Sequence, residues 1–194
     1  VEAKTTTCDY FPVEKEYGYS VFSTVFYAEF LNKKLNVIDC PGSDDFVGNA
    51  VTALNVTDTG VILIDGQYGV EVGTQNIFRT CEQLKKPIIF AINQLDGEKA
   101  DFDNSLLQLK EHYGSKVVPI QFPINCGPSF NSMIDVLLMK QYTWGPDGGV
   151  PTITEIPEEY KEKALEWHQA LVEAAAENDE GLMDKFFEQG ALTE

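Results

Sequence analysis

Two short polar clusters follow apolar runs and carry residue types able to handle a phosphorylated ligand. The first is Asp39-Cys40-Pro41-Gly42, directly after residues 35–38. A carboxylate at a strand end can hold Mg²⁺ through water. A glycine at a helix entrance lets its N–H approach a terminal phosphate oxygen with no side chain in the way. The second is Asn93-Gln94-Leu95-Asp96, after residues 88–92. A carboxylate here can accept two hydrogen bonds, from the N1–H and the exocyclic amine of guanine, a donor pair that adenine lacks. Asn93 can brace the loop and touch the base edge. Alone, each cluster has a plain alternative: a strand-to-helix turn for the first, a polar turn ending a buried strand for the second.

The elements around these clusters follow from hydrophobic periodicity. Residues 1–18 show little and read as a loop. Residues 19–31 are rich in β-branched and aromatic side chains and read as a strand, Asn32-Lys33-Lys34 as a polar turn, and residues 35–39 as the second strand of a hairpin. After Gly42, Val47, Ala50, Val51 and Leu54 recur at helical spacing, with Asp44 and Asp45 in the first turn where the helix dipole favours carboxylates. Residues 60–65 and 87–92 read as buried strands, and residues 71–85 and 101–113 as helices. Nearly all-apolar strands alternating with helices predict an α/β fold, a mainly parallel sheet with helices on both faces. In such sheets ligands bind beyond the carboxyl ends of the strands. The expectation is that the tips ending in Gly42 and Asp96 face one crevice. Beyond residue 116 the texture changes: 117–124 and 132–143 read as strands, followed by two amphipathic helices. The first carries Tyr160, Ala164, Trp167 and Leu171, the second Leu182, Met183, Phe186 and Phe187. The expected organisation is residues 1–115 as one domain and 116–194 as a small α+β subdomain.

The 194 residues suffice for one well-buried core, and no apolar run approaches the roughly 20 residues of a membrane span. Four scattered cysteines form no CxxC pair and read as reduced thiols of a cytoplasmic protein. The start has no signal-peptide pattern and no Met, which reads as a chain beginning inside a longer protein. The net charge is −17, with 12 acids against 3 bases in residues 155–194. Nonspecific nucleic-acid binding needs a basic surface, so no direct RNA or DNA contact is expected, whereas a basic protein partner is compatible.

Asp39 and Asn93 lie 54 positions apart in the order a nucleotide site would need. The run Asn36-Val37-Ile38-Asp39-Cys40-Pro41-Gly42, with Asp45-Phe46 after it, resembles the switch II segment of translational GTPases. Asn93-Gln94-Leu95-Asp96 resembles their N-K-x-D guanine box, and residues 14–21 their switch I segment. Val118-Pro119-Ile120-Gln121-Phe122-Pro123-Ile124 and Gly181-Leu182-Met183-Asp184-Lys185-Phe186-Phe187 are similar to runs bounding the inserted subdomain of elongation factor G. The resemblance implies part of a P-loop-NTPase-type G domain with that inserted subdomain, GTP or GDP and Mg²⁺ as ligands, and the ribosome as partner. It implies Ser20 as the switch I hydroxyl on Mg²⁺, Asp39 as a carboxylate reaching Mg²⁺ through water, and Gly42 as the terminal-phosphate contact. Asn93, Gln94 and Asp96 take the guanine-box positions, and Ser43 takes that of a histidine that positions the attacking water.

The departures are specific. No G-x-x-x-x-G-K-[ST] phosphate loop occurs in the 194 residues. Ser43 is too short and too weakly basic to do an imidazole's work. Tyr17 replaces an arginine, and Gln94 a lysine whose stem packs along the nucleotide. The expectation is a segment that binds GTP weakly alone, from a factor that hydrolyses GTP poorly. The alternative is a docking module that binds the ribosomal stalk through residues 116–194 without catalysis. An unrelated flavodoxin-like domain would need a flavin-cradling loop that the sequence lacks.

Overall fold

The computed structural model describes residues 6–114 and 116–177. They form two compact units, one from residues up to 63 together with 71–91, the other from 64–70 together with 92 onward.

In the first unit, Pro12 opens a short helix, α1 (Pro12–Tyr17), which Gly18 closes in the left-handed conformation. Six residues are too few for an apolar stripe, so this helix reads as loop from periodicity. Strands β1 (Thr24–Phe30) and β2 (Lys33–Asp39) pair antiparallel, Thr24 opposite Asp39 and Phe30 opposite Lys33. The turn is the pair Leu31-Asn32, both at positive φ (47° and 59°), as a two-residue hairpin turn requires. Lys33 and Lys34 therefore belong to β2, not the turn. Residues 19–23 do not extend β1, because the N–H groups of Val21 and Phe22 bond the carboxylate of Glu14 and not a neighbouring strand. Helices α2 (Val47–Val56) and α3 (Val72–Gln83) pack together, and Leu54 and Cys81 close over Gly60.

Strands β3 (Gly60–Asp65) and β4 (Ile88–Asn93) pair with each other. Gly60 N–H bonds Pro87 O at 3.0 Å, and Gly66 N–H bonds Asn93 O at 2.9 Å, so the two strands run parallel. The sequence predicts β3 buried on both faces. Ile62 and Ile64 are buried, but Val61 and Leu63 are 60% and 65% exposed. An all-apolar run cannot distinguish a face covered by neighbours from one left open, and among the described residues nothing covers this one.

In the second unit, α4 (Phe102–Tyr113) starts at Asp101, whose carboxylate accepts from Asn104 N–H at 2.9 Å. Short antiparallel strands follow: β5 (Gln121–Pro123), β6 (Ser132–Asp135), β7 (Lys140–Gly145) and β8 (Gly148–Thr154), hydrogen-bonded in that order. Where the sequence reads one strand over 132–143, the chain breaks it. The Asp135 carboxylate takes Leu138 N–H at 2.7 Å and Met139 turns to a φ of 51°. Helix α5 (Glu158–Ala176) lays its predicted stripe on the core: Ala164 is buried, and Trp167 meets Phe122 edge-on at 5.0 Å. His168 Nδ1 lies 2.8 Å from Val136 O and donates to it. The second predicted amphipathic helix lies outside the described residues. None of the described helices is long and apolar enough to cross a membrane.

Gly66 is the glycine whose missing side chain matters most for the β4 tip. A Cβ there would stand 2.9 Å from Asn93 O and 3.2 Å from Leu95 Cδ2. Gly66→Ala is expected to cost about 1–3 kcal/mol in denaturant unfolding, since backbone must shift to admit it. Gly48→Ala, in α2 with nothing within 4 Å of its Cβ position, is expected to stabilise by up to about 1 kcal/mol.

Candidate functional site

The loop after β4 is held by its backbone. Asn93 O receives Gly66 N–H, Gln94 O receives Gly97 N–H at 3.0 Å, and Leu95 O receives Gly127 N–H at 2.8 Å. Leu95 points into the core of the second unit with Phe102, Leu106 and Phe122. Gln94 adopts a φ of 56°, uncommon for a residue with a Cβ. With three carbonyls tied and Leu95 buried, the side chains of Asn93, Gln94 and Asp96 stand exposed. The Asp96 carboxylate is thus carried on a fixed frame, the condition for reading a planar edge bidentately without ordering a loop first. The expected bracing by Asn93 comes from its main-chain carbonyl. Gly66 and Gly127, which complete the frame, are not singled out by the sequence: each contact joins residues far apart in the chain, and no local pattern announces it.

The other predicted residues lie in the first unit, around the start of the hairpin. Asp39 ends β2 opposite Thr24, and its carboxylate accepts from the Cys8 thiol. Thr24 Oγ1 donates to Cys8 O at 2.9 Å. The next residue, Asp9, accepts from Ser20 Oγ at 2.7 Å. The segment 8–9 thus ties Ser20 and Asp39 into one neighbourhood. Burial, then the bond and charge of Asp39, push the Cys8 thiol up to about 11, so it stays protonated and donates. Gly42 is exposed, with nothing within 4 Å of where a Cβ would be. Ser43 precedes the 3-10 turn Asp44–Phe46, exposed and making no side-chain capping bond.

Glu14 organises this region. Its side chain is fully buried, yet it carries no cationic partner among the described residues. It accepts from Val21 N–H at 3.0 Å and Phe22 N–H at 3.1 Å through one oxygen, and from Phe11 N–H at 3.1 Å through the other. Burial alone would raise its pKa and Asp9 adds to that, but the three N–H bonds outweigh both and hold it below the usual glutamate range.

The model of the elongation factor Tu GTP-binding domain matches residues 1–188. The chain belongs to this family. It is 33% identical over 187 residues to an elongation factor G-like protein of Thermotoga maritima, a match covering 96% of this chain and 26% of that protein. A crystal structure of a Thermus thermophilus protein superposes with a TM-score of 0.87 at 31% identity, covering 99% of this chain and 28% of the other. The chain thus spans about a quarter of the length of these relatives. The expected fold, part of a G domain of the elongation-factor-G-like kind, is the one these matches support.

An elongation factor Tu-type domain implies guanine-nucleotide binding. The Asp96 side chain is exposed, and Gly42 leaves open space where a side chain would stand. Asp39 is half-buried beside a thiol donor, and the Ser20 hydroxyl is committed to Asp9. That bond uses the Ser20 proton and leaves the hydroxyl oxygen's lone pairs available.

A pH prediction follows from Glu14. Its folded-state pKa lies below the unfolded value, so its stabilisation is complete above the ordinary glutamate range. It is lost as pH falls through the depressed folded value. Amide exchange at Val21 and Phe22, corrected for its intrinsic pH dependence, is expected to accelerate across that acid window while β1–β2 amides lag behind.

Proposed function

We propose that this chain supplies the base-reading loop and the switch segments of a translational GTPase that acts on the ribosome in translocation. The observation that carries the reading is the Asn93–Asp96 loop, fixed by three main-chain bonds and presenting an exposed Asp96 carboxylate. In this reading Asp96 accepts from the guanine edge, and Asn93 and Gln94 line the same base. Ser20 and Asp39 serve Mg²⁺, the latter through water, and the Gly42 N–H meets the terminal phosphate. Residues 1–115 form the partial G domain and 116–194 the inserted subdomain. The exposed acids of α5, among them Glu158, Glu162 and Glu166, favour a second role for that subdomain, docking the stalk protein of the ribosome.

Two features limit chemistry. The 194 residues hold no phosphate loop, whose backbone N–H groups and lysine supply most phosphate binding. Ser43, at the position of the water-orienting histidine, is exposed and makes no side-chain capping bond, and a serine hydroxyl is too weakly basic to do an imidazole's work. The chain by itself is therefore expected to bind GTP more weakly than micromolar, and calorimetry giving micromolar or tighter affinity would refute this. In the whole factor, Ser43→His is expected to raise ribosome-stimulated hydrolysis by about 10²-fold or more. A wild-type factor already hydrolysing GTP at the rate of the histidine variant would contradict the assignment.

A further inference from the structure

Ser20 is bracketed on both sides by one residue. On its N-terminal side, Gly18 N–H bonds Glu14 O at 2.7 Å. On its C-terminal side, Val21 and Phe22 N–H bond the Glu14 carboxylate. The N–H of Val21 belongs to the peptide plane that begins at Ser20, so anchoring it sets the rotation of the chain at Ser20. Residues 18–23 lie between α1 and β1, outside any helix or strand, and their conformation depends on the Glu14 bonds. Asp9 holds the hydroxyl itself, and Glu14 holds the backbone that aims it.

We propose that Glu14 is the positioning residue for Ser20, fixing the backbone from which its hydroxyl is presented to a divalent cation bound with a guanine nucleotide. This inference rests on the reading of Ser20 as a metal-bearing hydroxyl. The atoms divide the bonds in a way that makes the idea testable. One carboxylate oxygen takes both Val21 and Phe22, and the other takes only Phe11. A glutamine can keep its carbonyl oxygen toward Val21 and Phe22 and lose only the Phe11 bond. A methionine of similar size accepts nothing of comparable strength.

The test uses the 194-residue chain with a millimolar non-hydrolysable GTP analogue, whose γ-phosphate the switch I contact requires, and Mn²⁺ in place of Mg²⁺, following paramagnetic broadening of the Ser20 and Val21 amide signals. Glu14→Met is expected to raise the Mn²⁺ concentration for half-broadening about fivefold or more. It should also remove exchange protection at Val21 and Phe22, while leaving β1–β2 protected and the response of residues 93–97 to the analogue unchanged. Glu14→Gln is expected to keep both the protection and the Mn²⁺ midpoint near wild type. Were Glu14→Met to lose the hairpin's protection as well, Glu14→Ser, which admits water to the same N–H groups, is read in its place with the same expectation. The inference is overturned if protection is lost and the midpoint stays, or if the glutamine and methionine variants behave alike. Absence of Mn²⁺ broadening at Ser20 in the wild type, with protection intact, would instead remove the metal role of Ser20, and the inference with it.

Discussion

The contact on which the Asp96 loop depends is the approach of Gly66 to the carbonyl of Asn93. It closes the parallel β3–β4 pair at its carboxyl end, and it works because residue 66 has no side chain. Gly66 is also tied onward, since its own carbonyl receives Asp101 N–H at 2.8 Å. Asp101 in turn caps α4. One residue thus joins the ends of two strands and the start of a helix, and the loop carrying Asp96 hangs from that junction. A carboxylate meant to discriminate between two purine edges must be held before the ligand arrives, because each torsion ordered on binding subtracts from the affinity available for discrimination.

The switch end is built on a different principle. No ladder holds residues 18–23. Their shape comes from side chains, with Glu14 receiving backbone donors and Asp9 receiving Ser20 and Thr6. A segment held by a few side-chain bonds is easier to rearrange than a strand. The same economy is why acid is expected to loosen it: a buried carboxylate with no cationic partner among the described residues is stabilised only while its N–H donors stay in place.

Much of this was legible in the sequence, for reasons that differ by element. The helices α2 to α5 and the strands β3 and β4 announce themselves by periodicity or by unbroken apolar runs, and Gly114 closes α4 at a φ of 84° where a glycine is expected. The hairpin was legible, but its turn was displaced by one residue, because Leu31 accepts a positive φ that composition argues against. Helix α1 was too short to show a period. The breaks between β6, β7 and β8 depend on one Asx bond, a Met at positive φ and the tight Pro146-Asp147 connection, signals that average away in a window. The candidate site residues stand out in the sequence by type and order alone. What could not be read was their support, since Glu14, Gly66 and Gly127 act through backbone groups that any sequence supplies.

The proposal that Asp96 makes this chain a reader of guanine is open to saturation-transfer NMR with an equimolar mixture of GDP and ADP, a method that detects weak binding. Saturation is expected at the guanine base protons with little at adenine, and the guanine signal is expected to vanish in Asp96→Ala. Equal saturation of both bases, or a guanine signal that survives Asp96→Ala, would contradict it.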